Sequence, residues 1–149
     1  MQDSLERAFQ DVYTKFKLQF YKKIFSRFES REASLSSVET FCVEVINALP
    51  EPSINEFAKF VGISQANAAY KVQNLIEKGY VTKVRSDTDR REFHLRVTER
   101  FHEYSRINTN YVALVAARIR QRFGDEEADR FEALLKVIAD ELMPEIVVP

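Results

Sequence analysis

Apolar residues near the start of the chain recur at three- and four-residue steps: Leu5, Phe9, Val12, Phe16, Phe20 and Ile24 fall on one stripe of a long first helix. A second stripe of Leu18, Tyr21, Phe25 and Phe28 widens the apolar face, and a face that wide packs on two sides rather than one. The small polar run "SREASLSS" breaks the pattern. Ser36 and Glu39 then stand at capping-box spacing and open a second helix through Leu49, with Phe41, Cys42, Val45, Ile46 and Leu49 as its buried side. "PEP" at 50–52 stops it, because proline has no N–H for the helical ladder and disfavours a helical residue before it. Ser53 and Glu56 repeat the capping-box spacing and start a short third helix, "INEFAKFV", with Gly62 just past its end. A fourth helix, "QANAAYKVQNLIEK", is bracketed by Ser64 as N-cap and Gly79 as the residue after the C-cap.

The period then changes from helical to alternating. Tyr80 to Arg85 and Glu92 to Val97 read as two strands joined by "SDTDRR". Thr98 caps a long fifth helix to about Phe123, with a stripe of Phe101, Tyr104, Ile107 or Asn108, Tyr111, Val115 and Ile119. Gly124 and Asp125 form a stop and a new cap, and the last helix carries Ala128, Phe131, Leu134, Leu135, Ile138 and Leu142 before Pro144. The expected fold is mainly α with a small β-hairpin wing: a winged helix-turn-helix flanked by long N- and C-terminal helices.

Length and composition narrow the class. A chain of 149 residues with 45% hydrophobic and 30% charged side chains fits a single helix-rich domain. One cysteine leaves no internal disulfide and fits a reducing compartment. The N-terminus lacks the apolar block of a signal peptide and no apolar run approaches a membrane span, so no membrane partner and a cytoplasmic location are expected. The net charge is −1, but it is unevenly spread: residues 71–100 carry eight basic and five acidic side chains, residues 101–149 six and nine. The excess positive charge is local and sits on the hairpin, which suits a small basic face rather than indiscriminate coating of nucleic acid.

With Ala68, Val72, Leu75 and Ile76 turned to the core, the opposite face of the fourth helix falls on Ala66, Asn67, Tyr70, Gln73 and Asn74, with Lys71 at the edge. Alanines at 66, 68 and 69 keep its N-terminal half slim enough for a groove. Asn and Gln amides suit adenine's paired donor and acceptor, and Lys71 suits phosphate or guanine. Ser64 and Gln65, at the positive helix end, suit a phosphate.

The stretch "SINEFAKFVGISQANAAYKVQNLIEKGYVTKVRSDTDRREFHLRVTERF" resembles the multiple-antibiotic-resistance-regulator (MarR) family of winged-helix transcription factors. The match runs from the third-helix alanine through "IS" and "L..KGYV" to "D.DRR......T" across the wing. The resemblance covers about a third of the chain and implies a homodimer with the fourth helix in the major groove and the wing tip at the minor groove. Asp89 and Arg91 match the family's wing aspartate and arginine, and that arginine is expected to enter the minor groove or brace the wing. Arg90 and Arg85 would add phosphate contacts, with Asp87 and Asp89 pairing with neighbouring arginines to fix their direction. A guanidinium suits a narrow groove of concentrated negative potential. One position departs from the pattern: Phe101 stands where the family usually has glycine, which suggests altered packing between wing and fifth helix.

The expected organisation is one MarR-like domain, with a winged-helix head over about 36–98 and helical dimerisation regions at 1–30 and 99–149. The expected function is a sequence-specific transcriptional regulator, a repressor acting as a homodimer on a pseudo-palindromic double-stranded DNA operator. Family members commonly respond to small ligands, oxidants or metal, which leaves room for a small-molecule effector of unidentified structure in a pocket lined by aromatics such as Phe16, Phe20 or Tyr111. Cys42 lies among apolar neighbours with no basic residue to activate it, and His94 and His102 lack partners at metal-ligand spacing, so no metal and no cofactor are expected. No phosphate loop or nucleophile motif is present, and no catalytic role is expected. The second reading is a winged-helix interaction or structural module without sequence-specific DNA binding, motivated by the near-neutral charge and the single lysine on the fourth helix.

Overall fold

The computed structural model describes residues 3–29, 35–89 and 91–146; Arg90 and the side chains of Phe28, Tyr104, Ile107 and Asn108 lie outside the described residues. The elements are α1 (Ser4–Glu29), α2 (Ser37–Ala48), α3 (Ile54–Val61), α4 (Gln65–Glu77), β1 (Val81–Arg85), β2 (Phe93–Val97), α5 (Glu99–Phe123) and α6 (Asp125–Glu141). This is the mainly α fold with a hairpin wing that the periodicity predicts. The chain divides into two compact units, Met1–Thr40 and Phe41–Pro149, with α2 crossing the boundary. No helix among the described residues is long and apolar enough to cross a membrane.

In the first unit, α1 leaves Leu5, Phe9 and Val12 exposed along its predicted stripe while burying Ile24. The Ser36 hydroxyl accepts the Glu39 N–H at 3.2 Å, and the Ser36 carbonyl accepts both the N–H and the hydroxyl of Thr40 at 2.9 Å. That satisfies donors which a helix start otherwise leaves unpaired.

In the second unit, the inward face of α2 is rotated from the expected one. Phe41 is 46% exposed, whereas Val43 is fully buried beside Cys42, Ile46 and Leu49. Apolar residues at 41, 42, 43, 45 and 46 permit either orientation, and a helix turning about 100° per residue can bury only one arc of them.

Each cap of the helix-turn-helix forms. Ser53 and Glu56 make a reciprocal capping box, with the Ser53 hydroxyl accepting at 3.1 Å and the Glu56 carboxylate at 3.4 Å. Gly62 adopts φ 79°, which lets its N–H and that of Ile63 both reach the Ala58 carbonyl. The Ser64 hydroxyl accepts the Asn67 N–H at 3.1 Å. At the other end of α4, Gly79 at φ 82° sends its N–H to Ile76 and lets Tyr80 N–H reach Leu75, each at 3.0 Å. This is the Schellman pattern, and its left-handed residue favours glycine.

The two strands pair antiparallel from Val81 opposite Val97 to Arg85 opposite Phe93. Helix α3 packs on α4, α4 adjoins β1 and α3 adjoins β2. Phe57, Ala58, Ala68, Val72, Leu75, Val81, Leu95 and Phe101 are all buried and form the core of this head. Phe101 therefore places its whole ring inside rather than standing at a loose joint.

Two predicted caps act differently. Thr98 precedes α5 but makes no side-chain cap bond; its hydroxyl donates to the Gly79 carbonyl at 2.6 Å and its N–H to Tyr80 O at 3.0 Å. The α4 end carries carbonyls needing donors, and they take the threonine. Asp125 is the first residue of α6 and not its cap, a place held by Gly124 at φ 86°. The Asp125 carboxylate instead shares Arg120 Nη1 with Asp129, at 2.9 and 3.1 Å.

Truncation of Phe101 to alanine is expected to cost about 3–5 kcal/mol of stability, as for other buried phenylalanines. Urea denaturation measures it; a loss below about 1 kcal/mol would remove the ring from the core.

Candidate nucleic-acid interface

The helix-turn-helix fixes which face of α4 is presented. Ala68, Val72 and Leu75 are fully buried, so the far side is turned outward. Ser64, Gln65, Ala66, Asn67, Tyr70 and Gln73 are exposed, while Lys71 and Asn74 are half-buried at the edges. Tyr70 stands 67% exposed in the middle of this surface. Gln73 is partly committed, since its amide donates to the Glu77 carboxylate at 3.4 Å. Ser64 accepts from Asn67 and keeps its own hydroxyl proton to donate. No carboxylate stands in the first turn of α4 to offset the positive helix end.

The wing is braced otherwise than expected. Among the described residues no ion pair joins Asp87 or Asp89 to an arginine. Both carboxylates are exposed, where such pairs contribute little. Asp89 instead accepts the Arg91 backbone N–H at 2.9 Å, so it shapes the turn without neutralising the guanidinium. Arg91 and Arg85 are both exposed. The Arg85 guanidinium lies 5.5 Å from the centre of the Phe93 ring opposite it, a cation–π contact that steadies its direction.

Ser86 does the bracing that the aspartates were expected to share. It is buried, its N–H donates to Glu92 O at 2.9 Å, and its hydroxyl accepts the N–H groups of Thr88 and Asp89 at 3.3 and 3.4 Å. The Thr88 hydroxyl lies 3.0 Å away, and Glu92 N–H closes the turn on Asp89 O. A serine directly before "DTD" is the available sequence signal, because such hydroxyls hold local backbone N–H groups in turns.

The base of the wing is tied on both sides. Arg100 Nη1 donates to the Lys78 carbonyl at 2.8 Å, and its guanidinium lies 4.9 Å from the Tyr80 ring centre. On β2, His94 and Arg96 reach Glu51, and the Leu95 N–H donates to Pro52 O at 2.7 Å. None of Arg100, His94, Arg96 or Glu51 carries a motif that periodicity detects.

The remaining candidates are not gathered here. Cys42 is buried, and no cluster able to hold a metal occurs among the described residues. Phe16, Phe20 and Tyr111 are half-buried. A cleft of about 330 Å³ between α5 and α6 is lined by Ile119, Phe123, Glu127 and Phe131, and by none of those three.

Two helices joined through a tight left-handed turn, followed by an antiparallel two-stranded wing, define a winged helix-turn-helix protein. Residues 35–92 match the model of the MarR family. The chain has the fold of FabT from Streptococcus pneumoniae solved in complex with DNA, at 22% identity and a TM-score of 0.61 over 96% of this chain and 100% of that one. A MepR mutant from a multidrug-resistant S. aureus clinical isolate superposes with a TM-score of 0.68 at 14% identity, over 96% and 100% of the two chains. A transcriptional regulator from Thermotoga maritima gives 0.64 at 17% identity, over 93% of each. No match was found among curated proteins.

Ser86→Ala is expected to leave the fold in place, with a stability loss of about 1 kcal/mol, and to speed amide hydrogen exchange at Thr88 and Asp89. Unchanged exchange at those two amides would show that the hydroxyl does not hold the turn.

Proposed function

We propose that the protein is a sequence-specific DNA-binding transcriptional regulator, a repressor that acts as a homodimer on a pseudo-palindromic operator. The observation that carries this reading is the outward face of α4, where Gln65, Asn67 and Tyr70 stand exposed over a fully buried Ala68, Val72 and Leu75. Amides at these positions suit base edges in a major groove, with Lys71 and Asn74 at the margins. Ser64 and Gln65 suit a phosphate at the helix start. Arg85 and Arg91, with Arg90 between them in the chain, suit the neighbouring minor groove and its phosphates. Asp89 acts as a backbone brace, and Asp87 is assigned no contact.

We infer with it one MarR-like domain over 1–149, with a DNA-binding head at about 36–98 and dimerisation regions at 1–30 and 99–149. Exposed Leu5, Phe9 and Val12 in the first unit, and Val112, Leu134 and Leu142 in the second, are apolar surface of the kind that a second copy covers. Two-fold pairing would present two α4 helices to inverted half-sites about one helical turn apart. The solved DNA complex of FabT adds support from a protein of the same fold. The protein would work in the cytoplasm and without catalysis, with room for a small-molecule effector.

Selection of duplexes from a random pool with purified protein is expected to enrich an inverted repeat; folded protein that enriches no sequence would favour an interaction module. On the selected duplex, Arg91→Ala should weaken binding and lower the salt slope by about one, whereas Asn67→Ala should cost about 1–3 kcal/mol at one base position and relax specificity there. Binding indifferent to salt and to Arg91→Ala would overturn the wing assignment.

A further inference from the structure

Three successive residues of β2 reach two neighbouring residues, Glu51 and Pro52, of one connecting segment. The His94 Nδ1 lies 2.8 Å from the Glu51 carbonyl oxygen, and since a carbonyl only accepts, Nδ1 carries the proton. Leu95 N–H donates to the Pro52 carbonyl at 2.7 Å. Arg96 donates to the Glu51 carboxylate through Nε at 2.7 Å, and its Nη2 reaches the same oxygen. Alternation along a strand puts His94 and Arg96 on one face, while Leu95 is buried on the other. The segment they grip, residues 49–53, joins α2 to α3, the first helix of the helix-turn-helix.

Glu51 is also strained. Its φ of 43° makes it the one non-glycine residue with a positive φ among the described residues. That conformation costs an L-residue about 1–2 kcal/mol, and glycine would adopt it at no steric cost. The ion pair with Arg96 does not offset this, because the two side chains are 53% and 54% exposed and such pairs contribute little. Stability alone thus gives no reason for a glutamate here. Its distinctive contribution is direction: a carboxylate and a carbonyl held together, both gripped by the same strand. Strained residues persist where the surrounding structure over-determines them, as it does at this position.

We propose that Glu51 is a positioning residue for the wing, its carbonyl and carboxylate latching β2 through His94 and Arg96 and so setting the angle at which Arg85 and Arg91 meet the duplex. The latch rests on the DNA-binding reading above, touches no DNA itself, and acts through the wing arginines.

The test is Glu51→Gly, which relieves the backbone as it removes the carboxylate, so the melting temperature should stay within a few degrees of the parent. Residual dipolar couplings of the β2 and α4 amides, measured without DNA, should show the hairpin reoriented relative to the helix. Affinity for the selected duplex should fall roughly tenfold, within the range by which remote supporting residues modulate binding. In an Arg85→Ala/Arg91→Ala background the same substitution should cost little further, since Glu51 acts through those two contacts. Unchanged couplings, unchanged affinity, or an equal loss in both backgrounds would each overturn the latch. Should Glu51→Gly unfold the protein, Glu51→Gln carries the same cycle, because it keeps the backbone and removes the charge. If the parent protein itself binds no duplex, the DNA-binding reading fails before any variant is made, and the couplings still decide whether Glu51 holds the wing.

Discussion

A helix that ends inside a protein must find donors for its last carbonyls, and the end of α4 is where this requirement organises the molecule. Gly79 turns left-handed so that its own N–H and that of Tyr80 close on Ile76 and Leu75. Two more carbonyls, of Lys78 and Gly79, are met by Arg100 and Thr98, which lie beyond the wing in sequence. The chain therefore leaves α4, runs out and back as a hairpin, and returns to the point of departure. The helix end, the base of both strands and the start of α5 share one cluster of hydrogen bonds. Phe101, in the first turn of α5 just after this cluster, is fully buried.

That junction lets two surfaces with different chemistry act together. Helix α4 offers neutral amides and a phenol, groups that discriminate by hydrogen-bond pattern. The wing offers exposed guanidinium groups, which carry a full positive charge. At net charge −1, with 22 basic and 23 acidic side chains, the chain has no general positive field, so the placement of individual cations decides where positive charge is presented. Stacking of Arg85 on Phe93 is one such placement, and the use of Asp89 on the backbone leaves the Arg91 charge whole.

Much of this was legible in the sequence, because caps and glycines act locally. Ser53 with Glu56, Gly62, Ser64 and Gly79 each bracket a helix through bonds within a few residues, and their spacing identifies them. The outward face of α4 was legible for a similar reason, since burial of Ala68, Val72 and Leu75 follows helical period. What was not legible depends on contacts far apart in the chain. The choice of Val43 over Phe41 is made by packing partners, not by periodicity. The pairing of Arg96 with Glu51 spans 45 positions and leaves no local trace. Thr98 carries the signature of a cap and spends its hydroxyl on a distant carbonyl. The aspartates of the wing were read through charge, while the turn was settled by the unpaired N–H groups that Asp89 and the inconspicuous Ser86 could reach.

The division of labour within the wing bears on how such a protein changes over time. Its shape is held by the Ser86 hydroxyl, the Asp89 carboxylate and the pairing of strands, whereas the guanidinium groups of Arg85 and Arg91 take no part in closing the turn. Scaffold and exposed positive charge are thus encoded at separate positions. The arginines can therefore be exchanged one at a time without removing any of the hydrogen bonds that close the hairpin turn.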